Sequence, residues 1–347
     1  MIVGIAFLFL GFLFMSVYTV LTLEAVQAFA QQFDLTVSKI TPIQNGIENS
    51  NYFVELNDGR ELVLTLFEEL SKSEAEVLSR LMQRLYAQGL PVAVPLADAQ
   101  GVCIHTVADK PAQFAPRLAG SSPMQPNVTQ VTQMGGGLAQ LHLALENDPL
   151  PQEQIQKNEY TPVWWELSKD ELKPSLPEVD QQLLDQVFDQ FFKVKQHYLN
   201  LPQGLIHGDV FRDNTLFVGD DLSAILDFTT VTHDDWLMDI AITINDFCTN
   251  YPDVDLDAAR ASAFISAYEE VRKLTEDERL ALPIYLVMAA CRFWVSRLQT
   301  AARNDLEKRV SADVLEKDPD EMRRMVVERL SILNWNSEAV EVFNAYL

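Results

Sequence analysis

Three oxygen-bearing side chains stand close together in this chain: Asp209, Asn214 and Asp227. The first two bracket four residues, and the third follows one hairpin later. They lie in Leu205-Ile-His-Gly-Asp-Val-Phe-Arg-Asp-Asn-Thr-Leu-Phe-Val218 and Ile225-Leu-Asp-Phe228. The pattern is a strand end, a polar loop, a second apolar run, a turn at Gly219-Asp-Asp221 and a third apolar run. A carboxylate in such a loop can orient a hydroxyl and accept its proton. An amide oxygen and a second carboxylate can hold Mg²⁺ against a triphosphate without crowding three charges into one cleft. That is the equipment of phosphoryl transfer from ATP, with Asp209 as catalytic base and Asn214 and Asp227 as metal ligands. A plain polar hairpin would also favour Asp and Asn, but it does not account for the spacing and the strand context together.

His-x-Asp-x-x-x-x-Asn is the spacing of the kinase catalytic loop, and Asp227-Phe228 stands where that loop is followed by Asp-Phe-Gly. His207-Gly-Asp209 with a downstream Asn and Asp resembles the aminoglycoside phosphotransferase and choline kinase-like superfamily. The longer string through Phe217 is similar to the bacterial homoserine kinases within it. Gly46-Ile-Glu-Asn-Ser-Asn-Tyr-Phe53, Leu62-Val-Leu-Thr-Leu-Phe-Glu68, Asp239-Ile-Ala-Ile-Thr-Ile-Asn-Asp246, Arg292-Phe-Trp-Val-Ser-Arg297 and Lys317-Asp-Pro319 extend the likeness from about Met15 to about Arg329. The resemblance implies a bilobal, protein-kinase-like α+β fold: a small antiparallel sheet (15–119) binding nucleotide, and a mainly helical lobe (120–347) binding the acceptor. It also implies ATP and Mg²⁺ as cofactors and L-homoserine as the acceptor, in threonine biosynthesis. Another small-molecule kinase, acting on choline, a sugar or an aminoglycoside, is one alternative. A non-catalytic nucleotide-binding scaffold is another.

The elements that must position these groups can be read in order. Thr22 caps an amphipathic helix from Leu23. Strands follow from Val37, with an Asn57-Asp-Gly59 hairpin turn. Gly46, Asn49, Ser50 and Asn51 occupy the place of a phosphate-binding loop; a polar strand connection explains them as well. Thr65 stands where the superfamily carries a phosphate-pairing lysine, as it does in homoserine kinases. The replacement cation is open among Arg60, Lys72, Arg117 and Arg212. Ser73 opens a helix that Gly89 and Pro91 end. Val92–Leu96, Gly101–Val107 and Pro111–Leu118 are expected to complete the sheet, with His105 on a strand surface. Gly120-Ser-Ser-Pro123 is the expected hinge, with adenine beneath it. Gly135-Gly-Gly137 implies close packing of a helix, Val128–Glu146, or a local break in it. His142 reads as structural and Trp164-Trp165 as packing.

In the second lobe, His207 braces the loop and Asp239 resembles the superfamily's loop-bracing aspartate. Thr229–Asp235 is expected as a loop. Arg212 is a candidate for a substrate carboxylate or for phosphate. Asp213 is a candidate for a substrate ammonium, or it caps the turn. Asn245 and Asp246 lie on one apolar helix and are candidates for the acceptor pocket. Arg292 is a carboxylate candidate or a salt-bridge partner. Thr275 with Glu278 makes a capping box.

The 347 residues carry a net charge of −24. That charge repels nucleic acid and requires any nucleotide site to be corrected locally. Three scattered cysteines show neither a disulfide framework nor zinc spacing, which fits a cytoplasmic protein. Residues 1–23 are uncharged. Residues 1–14 read as an extension ahead of a start at Met15, as a membrane anchor running on through the following residues, or as a signal peptide without a basic start.

Overall fold

The computed structural model describes residues 19–43, 49–146, 162–198, 200–307 and 317–334. Gly46, the apolar stretch to residue 18, the segment 149–161 and the Trp164 side chain lie outside the described residues. Thr22 caps α1 (Leu23–Ala30), its hydroxyl accepting from the Ala25 N–H at 3.2 Å. The strands β1 (Val37–Pro42), β2 (Ser50–Leu56), β3 (Glu61–Leu66), β4 (His105–Val107) and β5 (Lys110–Pro116) form one sheet in the order β1-β2-β3-β5-β4. Every neighbouring pair is antiparallel. Alternation along the strands gives the sheet two unlike faces. Tyr52, Val54, Leu64 and Phe114 pack under Val26 and Phe29 of α1. Asn51, Phe53, Val63, Thr65 and Gln113 point the other way and are half-buried.

The helix α2 (Lys72–Ala87) is capped by Ser71 rather than by the expected Ser73. Ser71 and Glu74 exchange bonds in a capping box, and Ser73 falls inside the first turn. The expected strand at Val92–Leu96 does not join the sheet. Pro91 and Pro95 lack the N–H donors a ladder needs, and Val92 instead bridges Ile225 in the other lobe. His105 is half-buried and bonded to Asp98 at 3.0 Å.

The chain then becomes helical: α3 (Val128–Glu146), α4 (Pro162–Leu172), α5 (Glu178–His197), α6 (Trp236–Phe247), α7 (Ala258–Val271), α8 (Glu276–Glu307) and α9 (Pro319–Asn334). Between α5 and α6 run four short strands, β6 (Gln203–Ile206), β7 (Thr215–Val218), β8 (Asp221–Ile225) and β9 (Thr232–Asp235), paired β6–β9 and β7–β8. The strand β9 lies in the expected loop; its sequence, Thr-His-Asp-Asp, conceals it. The apolar stretch Glu276–Arg303 is long enough to cross a membrane, but 78% of its window is buried, as in a core helix.

The glycine triplet sits within an unbroken α3. A Cβ on Gly135 would lie 2.3 Å from the Phe264 carbonyl oxygen of α7, whereas one on Gly136 would meet nothing nearer than 4.0 Å. Gly135→Ala is expected to destabilise the fold by about 1–3 kcal/mol through overpacking. Gly136→Ala should be neutral, or stabilise by up to about 1 kcal/mol. Denaturant melts of the two variants check this; equal effects would show that α3 and α7 are not in close contact.

Candidate active site

Asp209 begins a loop that is held from beneath. Asp239, fully buried on α6, accepts the backbone N–H groups of His207 and Gly208, each at 2.7 Å. It also accepts His142 Nε2 at 3.2 Å, and the Tyr268 hydroxyl reaches His142 Nδ1 at 2.7 Å. Burial would raise the Asp239 pKa, but the hydrogen bond and charge of His142, with the loop amides, hold it below the usual carboxylate range. Two loop amides therefore meet a fixed negative charge. Gly208 adopts φ +80°, and a Cβ there would lie 3.0 Å from the Thr230 carbonyl oxygen. The turn therefore demands glycine twice over.

His207 closes the loop from inside. Its Nδ1 accepts the Asp209 N–H at 3.2 Å, so Nε2 carries the proton and donates to the Leu226 carbonyl at 2.9 Å. Burial lowers the pKa of this ring and favours the neutral form that the two bonds require. His207 thus ties Asp209 to the strand end that delivers Asp227. This is a bracing position, as its place in the motif suggests.

The three residues with which the sequence reading began are brought together. Asn214 Nδ2 donates to the backbone carbonyl of Asp209 and to its Oδ2, both at 2.8 Å. Both amide hydrogens are thereby engaged, which leaves the amide oxygen as the group that can face a cation. The Leu226 N–H donates to the Asn214 carbonyl at 2.8 Å, so Asp227 emerges beside it. Asp227 has φ +55°, a left-handed conformation that Asp tolerates better than most residues. Its Oδ1 accepts from the Thr229 N–H at 3.3 Å and the Thr229 hydroxyl at 2.5 Å.

Beyond the loop lies a cavity of about 320 Å³ lined in part by Met124, Phe211, Arg212, Asp213, Asp246 and Tyr251. Arg297 joins it from α8, Lys317 from the segment ahead of α9, and Glu321 from the first turn of α9. Arg212 lies over the Tyr251 ring and donates through its backbone N–H and Nε to Asp246 Oδ2, at 2.6 and 3.0 Å, while NH1 reaches the Met124 carbonyl at 2.5 Å. Burial pushes the Asp246 pKa up, against the pull of Arg212. Lys317 bonds Asp213 at 2.8 Å, and Arg297 NH1 bonds Glu321 at 3.0 Å and the Asp318 carbonyl at 2.7 Å. The cavity therefore offers both signs of charge side by side.

Other candidates stand elsewhere. Asn245 does not line this cavity; its amide nitrogen donates to the Leu286 carbonyl at 2.7 Å and its oxygen accepts from Arg329 at 2.9 Å. Arg292 is buried behind the loop, over Trp165 and Phe293, and NH2 would lie 3.7 Å from a Cβ on Gly208. Ser50 points to the α1 face, where its hydroxyl meets Glu68 at 2.5 Å and the Thr19 N–H at 2.9 Å. Asn49 is buried, and its carbonyl meets Asn51 Nδ2 at 3.4 Å. Asn51 faces the opposite side, its amide oxygen accepting from the Thr65 hydroxyl at 2.8 Å. Arg297, Lys317, Glu321 and Tyr251 also face the cavity; no local pattern in the sequence marks them as acceptor-site residues, although Arg297 and Lys317 fall within the family-like stretches Arg292–Arg297 and Lys317–Pro319.

The linker fastens the first lobe to this site. The Ser121 N–H donates to the Phe217 carbonyl at 3.0 Å, the Ser122 hydroxyl to the Thr215 carbonyl at 2.9 Å, and Ser223 to the Ala119 carbonyl at 2.7 Å. Gly120, at φ +122°, leaves no room for a Cβ against Phe217.

Comparison with known proteins bears on the fold and the family. A family model described as the phosphotransferase enzyme family APH matches residues 39–274. Homoserine kinase of Janthinobacterium sp. (strain Marseille) is 37% identical over 82% of this chain and 88% of its own length. That of Polaromonas naphthalenivorans (strain CJ2) is 36% identical over 91% and 98%. Among solved structures, amicoumacin kinase hAmiN, in complex with AMP-PNP, Ca²⁺ and Ami, is similar with a TM-score of 0.66 at 16% identity, covering 94% of this chain and 97% of that one. The expected kinase-like fold, a small antiparallel sheet joined to a helical lobe, is thus the fold found. The chain belongs to the APH phosphotransferase family and, within it, to the homoserine kinases.

Proposed function

We propose that this chain transfers the γ-phosphoryl group of ATP to the side-chain hydroxyl of L-homoserine, giving O-phospho-L-homoserine and ADP, in threonine biosynthesis. Asp209 receives the hydroxyl proton as the oxygen attacks the γ-phosphorus and the bond to ADP breaks. The loop amides fixed on Asp239 and the Asn214 amide hold that carboxylate in place. Positioning and charge compensation carry the rate, because little covalent chemistry falls to the protein. The Asn214 amide oxygen and the Asp227 carboxylate make a hard, all-oxygen pair that suits Mg²⁺. Among the described residues no cluster of three His, Cys, Asp or Glu side chains could hold a metal by itself, so phosphate oxygens and water would complete the shell. When bound, Mg²⁺ neutralises charge on the β- and γ-phosphates. We place the lobe boundary at Gly120 and the reaction in the cytoplasm, where ATP is available.

The two-signed cavity lined by the far end of the catalytic loop, Phe211 to Asp213, supports an amino-acid acceptor best. A homoserine carboxylate suits the Arg297 fork and Lys317, and its ammonium suits Asp213 and Asp246. Choline or an amino sugar carries only the cation and leaves the basic half of the cavity without a counterpart. An ADP-coupled assay over homoserine, choline, aminoglycosides and sugars tests the assignment. Homoserine should exceed every other acceptor in kcat/KM, and the reading fails if another acceptor leads. Arg297→Met is expected to raise KM for homoserine roughly 10–100-fold, the equivalent of a charged hydrogen bond, with KM for ATP unchanged.

A further inference from the structure

The superfamily's sheet lysine is absent here, and the described residues offer no cation in its place. Lys39 is bonded to Glu55 at 2.6 Å, four residues along β2 from Asn51. Arg60 is held by Asp58 at 2.8 Å at the hairpin tip. Lys110 lies on the α1 side, on the Glu68 carbonyl at 2.7 Å. Arg117, at the linker end, covers Phe53 and bonds Glu61 at 2.9 Å. Lys72 is exposed at the start of α2. The loop Gln44-Asn-Gly-Ile-Glu48 contains no basic residue.

What stands on the open sheet face instead is a neutral polar row. Asn51, Thr65 and Gln113 are register partners across β2, β3 and β5. The Thr65 hydroxyl donates to Asn51 Oδ1 at 2.8 Å. Gln113 Oε1 is buried and has no hydrogen-bond partner among the described residues, a costly arrangement unless a ligand supplies the donor. The row lies at the end of the sheet where the β1–β2 loop begins. Apolar Phe53 and Val63 continue the same face toward the linker.

We propose that this row receives the nucleotide from the sheet side through neutral hydrogen bonds, so that the protein binds the polyphosphate only as its divalent-metal complex. The proposal rests on the kinase reading above. Gln113 Oε1 accepts a hydroxyl or amine of the nucleoside. The Asn51 amide nitrogen, 3.4 Å from the Asn49 carbonyl, turns to a phosphate oxygen. A neutral row does not offset a metal-free triphosphate, and the −24 charge of the chain repels it.

Isothermal titration of the full chain with ATP, in Mg²⁺ and in EDTA, tests this directly. Wild type should bind ATP at least about 100-fold more weakly in EDTA, the value of an unreplaced charged contact. Thr65→Lys should narrow that gap to about tenfold or less. Gln113→Leu should weaken Mg·ATP and adenosine alike by about 5–10-fold, one hydrogen bond. Metal-free ATP binding to wild type within about threefold of Mg·ATP overturns the proposal without any variant, as does an unchanged gap in a folded Thr65→Lys protein. Wild type that binds neither form and turns over no acceptor overturns the kinase reading instead.

Discussion

Asp209→Asn is expected to reduce kcat by about 10³-fold, within the range that loss of a positioned proton acceptor produces. The substitution keeps the shape of the side chain and an oxygen that can receive Asn214 Nδ2, the 2.8 Å bond that now joins them. It removes the negative charge and, with it, the capacity to take a proton. Melting temperature and the affinity for Mg·ATP should therefore stay near wild type, while turnover collapses. The fall should appear in kcat with little change in the KM for homoserine, because orienting the hydroxyl matters most as charge develops. A kcat within tenfold of wild type would remove Asp209 from the chemistry and leave it as a loop residue.

That a single sequence reveals this much follows from where the chemistry lies. The loop and hairpin carry all three oxygen-bearing groups in contiguous sequence, and a β-hairpin brings its ends together by construction. Asp239 was legible for a related reason: a carboxylate amid Met-Asp-Ile-Ala-Ile must find buried donors, and it finds the amides of His207 and Gly208. The acceptor side was harder to read because its residues converge from distant elements. All twelve residues of α6 are buried, so no polar face marks which of Asn245 and Asp246 meets the cavity. On α8, Arg292 and Arg297 are five residues apart, which turns them about 140° from each other. One lies behind the catalytic loop and the other lines the cavity. The strand β9 was hidden because Thr-His-Asp-Asp has little strand propensity. Its pairing with β6 is a tertiary fact that local composition does not carry.

Asp227 yields a second large effect, and the choice of variant decides what it means. The residue sits at φ +55°, where alanine adds backbone strain of about 1–2 kcal/mol and asparagine much less. Asp227→Asn therefore isolates the carboxylate's charge from its conformation. Thr229 holds Oδ1 through its N–H and hydroxyl, and Asn keeps an oxygen for them. What disappears is the negative charge proposed to draw the divalent cation toward the phosphates. The Mg²⁺ concentration for half-maximal activity should rise at least about tenfold, and kcat at saturating Mg²⁺ should fall about 10²–10³-fold. The size follows from losing the anionic ligand that holds the cation against the phosphates. Asp227→Ala should show the same kinetic loss with a lower melting temperature, and the difference between the two melts reports the backbone cost alone. If Asp227→Asn lowers kcat while the Mg²⁺ requirement stays unchanged, Asp227 shapes the hairpin end rather than holding the ion.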